Sequence, residues 1–246
     1  MDMLIIIDPG VHTAEIECCN WIEHSTDLPI EVHYPALKGW ESLEHINLDC
    51  VQGVIILGSG ASPNDPTLEW QFYLKKWVHD YLLLEKPLLG ICYGHQLLAH
   101  MHGGEIHFLS DLDLETYPPE AKESGLRTLW FTPQELNQLS LFTNVSPDQI
   151  TSYTQMDWVV SHREVVSSLP QGWSKVGMSS ISHLGVEVMQ HNQAPWWGVQ
   201  AHIEAVDAFL THNGVELDRV PSPYHGHLWL SAFIKRCESY PVKNAN

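Results

Sequence analysis

Residues 88–96 read Leu-Leu-Gly-Ile-Cys-Tyr-Gly-His-Gln, and the prediction of the fold starts from the pattern in this stretch. Leu88–Ile91 is a short apolar run, typical of a strand buried in a sheet, and a helix is predicted from Gly94 through Met101. A cysteine therefore lies at the turn between a buried strand and a helix. Such a turn holds its central residue in a tight, exposed conformation, and the glycines on both sides of Cys92 fit that geometry.

Strands and helices alternate in the residues before this stretch. The predicted strands are Met3–Asp8, Pro29–Tyr34 and Val51–Leu57, and the predicted helices are Val11–Glu23 and Pro66–Leu84. Asp65 is expected to cap the second helix, with Pro66 in its first turn. This alternation predicts an α/β fold, with a mostly parallel central sheet and helices on both faces.

The rest of the chain carries weaker patterns. It includes predicted strands at Arg127–Phe131, Gly185–Gln190 and Trp197–Gln200, an exposed loop at Asp111–Gly125, and helices at Ala205–His212 and His227–Cys237. No glycine- or serine-rich linker marks a second domain. We expect one domain over residues 1–205, with residues 206–246 as a helical extension packed on it.

Composition excludes several classes of function. The 246 residues contain 12 Lys and Arg against 30 Asp and Glu, a net charge of −18, which disfavours nucleic acid and anionic membranes as partners. The longest apolar run, Met3–Ile7, is too short to span a bilayer, and no secretory signal is recognised. Five cysteines without a CxxC pair favour free thiols and a cytoplasmic location, and they suggest no metal site.

Cys92 is the candidate nucleophile. The helix that follows points its free N–H groups and the positive end of its dipole at the sulfur, which stabilises a thiolate. The backbone N–H of Tyr93 is placed to donate to an oxyanion. On the Gly-x-Cys-x-Gly spacing alone, a buried structural cysteine remains an alternative.

A cysteine nucleophile needs a base, and the base needs a group that orients it. The segment Gly198–Glu204 reads as a short apolar strand that ends in His202, with Glu204 two residues later. Residues i and i+2 of a strand lie on the same side, so Glu204 is expected to support the His202 ring. Taken alone, this His-x-Glu pair fits a surface pair better than a catalytic one.

Together, GxCxGHQ and a GVQxHxE segment about 110 residues later resemble the class I glutamine amidotransferases. Leu57–Ser62 is similar to the family's glycine loop, and Ser161–Val165 is similar to its stretch along the glutamine site. The resemblance spans residues 3 to 205, and it is nearest to free-standing members like the amidotransferase domain of GMP synthase. It implies a flavodoxin-like architecture.

The resemblance also implies residue roles. Cys92 is the nucleophile, His202 the acid and base, and Glu204 its support, while the N–H groups of Tyr93 and Ser59 form the oxyanion hole. The implied substrate-binding residues are Gly58, Gly60, Gln96, Ser161 and His162. Three positions depart from the family pattern. Ile203 and Gly60 stand where prolines are common, and Arg163-Glu164 replaces a commoner Gly-Asp pair.

The predicted activity is hydrolysis of glutamine through a γ-glutamyl thioester, without a cofactor, by a cysteine-dependent amidohydrolase. The implied partner is a synthetase subunit that accepts the ammonia. Two alternatives stay open: an autonomous γ-glutamyl peptide hydrolase, and a regulatory binding module with an inactive triad. The helix Leu228–Cys237 could pack on the body or on a second copy in a homodimer.

Overall fold

A computed structural model of the chain describes residues 2–139, 141 and 153–240, and it confirms the α/β fold. The strands are β1 (Met3–Ile7), β2 (Ile30–His33), β3 (Val51–Ile56), β4 (Leu88–Ile91), β5 (Glu105–Phe108), β6 (Glu123–Trp130), β7 (Gln155–His162), β8 (Glu164–Ser168), β9 (Trp173–Val176), β10 (Val188–His191) and β11 (Trp196–Val199). The helices, numbered over the described residues, are α1 (Ile16–Glu23), α2 (Pro35–Lys38), α3 (Glu69–Leu82), α4 (Tyr93–Met101), α5 (Leu109–Leu112), α6 (Pro133–Gln138), α7 (Asp207–His212) and α8 (His225–Glu238).

The central sheet has seven strands in the order β2-β1-β3-β4-β11-β10-β9. The first five are parallel to one another, whereas β10 runs antiparallel to both of its neighbours. Two further pairs, β5 with β8 and β6 with β7, form separate antiparallel ribbons. The order brings β11 beside β4, although about a hundred residues separate them in the chain.

Helices cover both faces of the sheet, which explains why its central strands are apolar on both sides. On β1, Leu4 and Ile6 pack into the cluster that contains Ile22 of α1 and Phe233 of α8. The alternate residues of β1 and β3 pack into a second cluster with α3 and α4. The side chains of β1 alternate between two layers because successive residues of a strand point to opposite faces.

Two helix starts differ from the sequence prediction by more than two residues. The first helix begins at Ile16, because the buried carboxylate of Asp8 accepts hydrogen bonds from the N–H groups of Gly10 and Glu15 and holds the intervening residues in a loop. The predicted cap at Asp65 is wrong. Its carboxylate accepts from Thr67 in a tight turn, and α3 starts only at Glu69.

The middle of the chain contains more strand than the sequence predicts. The pattern does not predict β5, β7, β8 or β9, and the expected loop at Asp111–Gly125 ends early because β6 begins at Glu123. Strand β6 pairs with β7 over its full length. These strands lie at edges or in ribbons, where polar residues alternate with apolar ones and the signal is weak.

Between residue 205 and the last described residue, 240, there are two α-helices, and residues of the second pack into the cluster that contains side chains of the central sheet. The indole of Trp229 in α8 is fully buried against Phe131 and Trp158. Over the described part of the chain, no helix combines the length and apolarity needed to cross a membrane.

Candidate active site

The candidate site lies at the carboxyl ends of three adjacent parallel strands, β3, β4 and β11. The glycine loop follows β3, Cys92 follows β4 and His202 follows β11. In an open parallel sheet, this edge is where loops from neighbouring strands converge on a ligand. The strand order therefore brings together segments that are far apart in the chain.

Cys92 lies at a strained elbow between β4 and α4. Its backbone has φ 50° and ψ −101°, a conformation that non-glycine residues rarely adopt. The turn requires the flanking glycines, because a Cβ at Gly90 would overlap the Gly94 carbonyl and a Cβ at Gly94 would overlap the carbonyl of Ile56. The side chain of Cys92 is held at the start of a nine-residue helix, where the dipole favours an anion.

His202 and Glu204 form a buried pair beside Cys92. The distance from His202 Nδ1 to Glu204 Oε1 is 2.8 Å. The sequence predicts that this pair lies at the end of a strand. In the structure the pair lies beyond the strand, because β11 ends at Val199. A backbone hydrogen bond of 2.7 Å from the His202 N–H to the Val159 carbonyl of β7 fixes the segment instead.

The charge on His202 depends on its two neighbours. Burial alone lowers the pKa of the imidazole, but the Glu204 carboxylate and the Cys92 side chain, which also hydrogen-bonds the ring, raise its pKa well above the usual value. Because Glu204 occupies Nδ1, the other ring nitrogen is left for the sulfur. The arrangement favours the imidazolium form of His202.

The glycine loop packs directly against this pair. A Cβ at Gly58 would lie 2.8 Å from His202 Cε1 and 3.6 Å from Cys92 Cβ. The Ser59 hydroxyl donates to the Pro9 carbonyl at 2.7 Å, which ties the loop to the end of β1. Gly60 is exposed and does not contact the pair.

The remaining predicted substrate-binding residues differ in what they contact. Gln96 is buried, and its Nε2 donates to the backbone carbonyl of Glu164. The Ser161 hydroxyl donates to Asn213 Oδ1 at 2.5 Å. The His162 ring is buried, and its Nε2 lies 3.5 Å from Arg127 Nη1, so its side chain faces the protein interior.

Two residues at the site have no role in the sequence-based assignment. Gln200 lies with its Nε2 3.6 Å from Cys92 Sγ, and Glu164 accepts a hydrogen bond of 2.7 Å from Ser62 of the glycine loop. For Gln200, the available signal is its place two residues before His202 in the same segment. For Glu164, the only sequence signal is that Arg163-Glu164 replaces the Gly-Asp pair that is commoner in the family.

Another buried histidine near the elbow is uncharged. Burial lowers the pKa of His95 to about 4, and its Nε2 bonds the Val186 carbonyl at 2.9 Å. Among the described residues, no group of three or more His, Cys, Asp or Glu side chains could hold a metal ion.

The family model for class I glutamine amidotransferases matches residues 23–213. The chain belongs to this family. A glutamine-hydrolysing GMP synthase subunit from Archaeoglobus fulgidus is 30% identical over 200 residues, which cover 81% of this chain and 89% of that protein. The glutamine-hydrolysing GMP synthase of Wolinella succinogenes is 30% identical over 166 residues, which cover 68% of this chain but only 27% of that longer protein.

Solved structures show the same amidotransferase fold. The crystal structure of a glutamine amidotransferase from Thermotoga maritima superposes with a TM-score of 0.69 at 16% identity, covering 97% of this chain and 99% of the other. At this level of identity the likeness is one of fold, and it confirms the predicted flavodoxin-like architecture.

Proposed function

We propose that this amidotransferase hydrolyses the side-chain amide of glutamine to glutamate and ammonia, with Cys92 as nucleophile. The observation that carries the proposal is the position of Cys92. The residue lies on a strained elbow at a helix N-terminus, next to an imidazole whose far nitrogen is held by a buried carboxylate. This is the arrangement of nucleophile, base and orienting group that covalent catalysis requires.

In the first half of the reaction, the Cys92 thiolate attacks the side-chain carbonyl carbon of glutamine. The carbonyl oxygen becomes an oxyanion, which accepts hydrogen bonds from the N–H groups of Tyr93 and Ser59. His202 gives its proton to the nitrogen as the C–N bond breaks, and ammonia leaves. The product is a γ-glutamyl thioester on Cys92, with His202 neutral.

In the second half, His202 removes a proton from water, and the hydroxide attacks the thioester. The C–S bond breaks, glutamate leaves, and the thiolate and the imidazolium are restored. Glu204 supports both halves, because its carboxylate stabilises the imidazolium and keeps the free nitrogen of His202 directed at the sulfur.

The glutamine site is proposed along the glycine loop and the end of β7. Gly58 lets the loop approach the sulfur, and Gly60 lies in its exposed part. The backbone of Ser161 and His162 would line the far side of the site, since both side chains are engaged elsewhere. Gln96 supports this side of the site, because its Nε2 donates a hydrogen bond to the backbone carbonyl of Glu164, the first residue of β8.

A free amide suits this site better than a substituted one. The Cys92 side chain is only 4% exposed, and the residues packed around it include Gly58, Gln200 and His202. A γ-glutamyl peptide must place a second residue where ammonia leaves. We therefore favour glutamine as the substrate over γ-glutamyl peptides.

We further propose that the ammonia passes to a separate synthetase subunit. The Archaeoglobus relative is named as a subunit of a glutamine-hydrolysing GMP synthase, and the match to the longer Wolinella enzyme covers 27% of its length. The same proposal places the protein in the cytoplasm and has it act without a cofactor.

The test is release of ammonia and glutamate from glutamine by the purified chain, with and without a GMP synthase synthetase subunit, its nucleotide and ATP. Cys92→Ala is expected to abolish release, and Cys50→Ala, a free and partly exposed cysteine away from the site, is the matched control. Unchanged ammonia release by Cys92→Ala would overturn the proposal. A panel of γ-glutamyl dipeptides tests the choice of substrate.

A further inference from the structure

Gln200 connects the nucleophile to the wall of the candidate glutamine site. Its side chain is 1% exposed and lies between Cys92 and Gln96. The distances are 3.6 Å from Gln200 Nε2 to Cys92 Sγ, 3.2 Å from Gln200 Oε1 to Gln96 Nε2, and 2.8 Å from Gln96 Nε2 to the Glu164 carbonyl oxygen. Three hydrogen bonds therefore join the sulfur to the first residue of β8.

The backbone carbonyl of Glu164, at the end of this series of hydrogen bonds, determines which way the side-chain amides of Gln96 and Gln200 point. A carbonyl oxygen can only accept, so the Gln96 atom that faces Glu164 must be the nitrogen. That same nitrogen also contacts Gln200, so the Gln200 atom beside it must be the oxygen. The Gln200 amide nitrogen is then the atom that faces the sulfur.

An N–H donor on a sulfur stabilises the thiolate more than the thiol, because a hydrogen bond to a charged acceptor is stronger than one to a neutral acceptor. Burial strengthens the effect, since water does not compete for the sulfur at this position. The sulfur thus has two hydrogen-bonding neighbours, the Gln200 amide and the His202 ring.

We propose that Gln200 is a catalytic residue that stabilises the Cys92 thiolate through its amide N–H, and that Gln96 and the Glu164 carbonyl orient it. The inference rests on the proposed role of Cys92 as nucleophile. Residues 200–202 would then have two functions. The His202 ring is the base, and the Gln200 side chain, two residues earlier, is a hydrogen-bond donor to the nucleophile.

The test is the pH dependence of Cys92 alkylation by iodoacetamide, followed by mass spectrometry of the peptide that contains Cys92. In Gln200→Leu, which keeps the approximate size but removes the donor, the midpoint of the profile is expected to move up by about one pH unit. The rate of glutamine hydrolysis, as kcat, is expected to fall by about tenfold to a hundredfold, with a smaller change in KM.

Two further variants separate orientation from donation. Gln200→Glu keeps the shape but places a carboxylate oxygen opposite the sulfur, so its midpoint should move up at least as far. Gln96→Leu leaves the Gln200 amide free to turn, and a smaller upward shift is expected. Gln190→Leu, the same change on β10 away from the sulfur, is the control and should alkylate like the unmodified chain.

The proposal is wrong if folded Gln200→Leu and Gln200→Glu both give the alkylation profile of the unmodified chain. If Gln200→Leu does not fold, Gln200→Glu alone decides in the same way. Alkylation needs no substrate, so this result is separate from the proposed activity. An unmodified chain that releases no ammonia with its partner would overturn the glutaminase proposal, while the profile would still test Gln200.

Discussion

At the scale of single residues, the site depends on a few side chains with little freedom. His202 is buried, its Nδ1 is taken by Glu204, and its peptide N–H bonds the carbonyl of Val159. The Tyr224 hydroxyl donates to the His202 carbonyl at 2.8 Å, so the residue is fixed on three sides. Rigid placement of this kind lowers the cost of reaching a reactive geometry.

Glu204→Gln is expected to change the pH profile of kcat/KM. The carboxylate raises the pKa of His202, so its removal lowers that pKa and the imidazolium loses its proton at a lower pH. The alkaline limb of the profile should therefore move to lower pH, and the maximum rate should fall by about tenfold or more. Steady-state ammonia release across pH measures both effects.

Glu216→Gln is the matched control, because Glu216 is exposed and only weakly paired, at 3.9 Å from Arg219. Its pH profile should superimpose on that of the unmodified chain. An alkaline limb that stays in place in Glu204→Gln would show that the carboxylate does not set the charge of the imidazole.

At the scale of elements, the junction of β4 and α4 is the least tolerant part of the fold. Gly90 and Gly94 touch across the elbow, and Gly94 also lies against the backbone of β3. The elbow holds Cys92 at a positive φ only because the surrounding backbone leaves no alternative. The close packing of these two glycines therefore also fixes the position of the Cys92 sulfur.

Gly90→Ala is expected to destabilise the chain by about 3 kcal/mol or more, since the added methyl overlaps backbone rather than a movable side chain. For a chain of this size, that corresponds to a fall in Tm on the order of 10 °C. Gly60→Ala is the control for stability, because its Cβ would meet only Val11 Cγ2 at 3.6 Å. Equal Tm values for the two variants would contradict this account.

The same junction shows what the sequence could and could not predict. The elbow was predictable, because glycines at 90 and 94 have a local steric cause. The start of α3 was not, because an Asp65 side chain can equally cap a helix or close a turn, and the pattern does not distinguish the two. The orienting hydrogen bonds of Gln200 were also out of reach, because they join residues more than a hundred positions apart.

At the scale of the whole molecule, the last helix completes the core. Residues of α8 share a hydrophobic cluster with residues of β1, β3 and β11. The segment that leads into this helix covers the backbone behind His202, because the Tyr224 hydroxyl bonds both the His202 carbonyl and the Val159 N–H. We therefore propose that the extension after residue 205, over its described residues 206–240, is part of the folding unit rather than an accessory to it.

Trp229→Ala is expected to destabilise the chain by about 3–5 kcal/mol, because the indole is fully buried against Phe131 and Trp158. Denaturant unfolding followed by circular dichroism measures the change. Trp130→Ala removes an indole that is 47% exposed and should cost far less. If both variants unfold at the same denaturant concentration, α8 does not support the core in this way.

The strand order has a consequence for how the protein is made. During synthesis, β4 and its cysteine leave the ribosome about a hundred residues before β11, so the nascent chain carries the sulfur beside an unpaired strand edge. Until Trp196–Val199 pair with that edge, neither the His202 imidazole nor the Gln200 amide can reach the Cys92 thiol. A chain cut before β11 therefore lacks both groups that lie beside the sulfur, and the site is assembled only after residues 200–202 have been made.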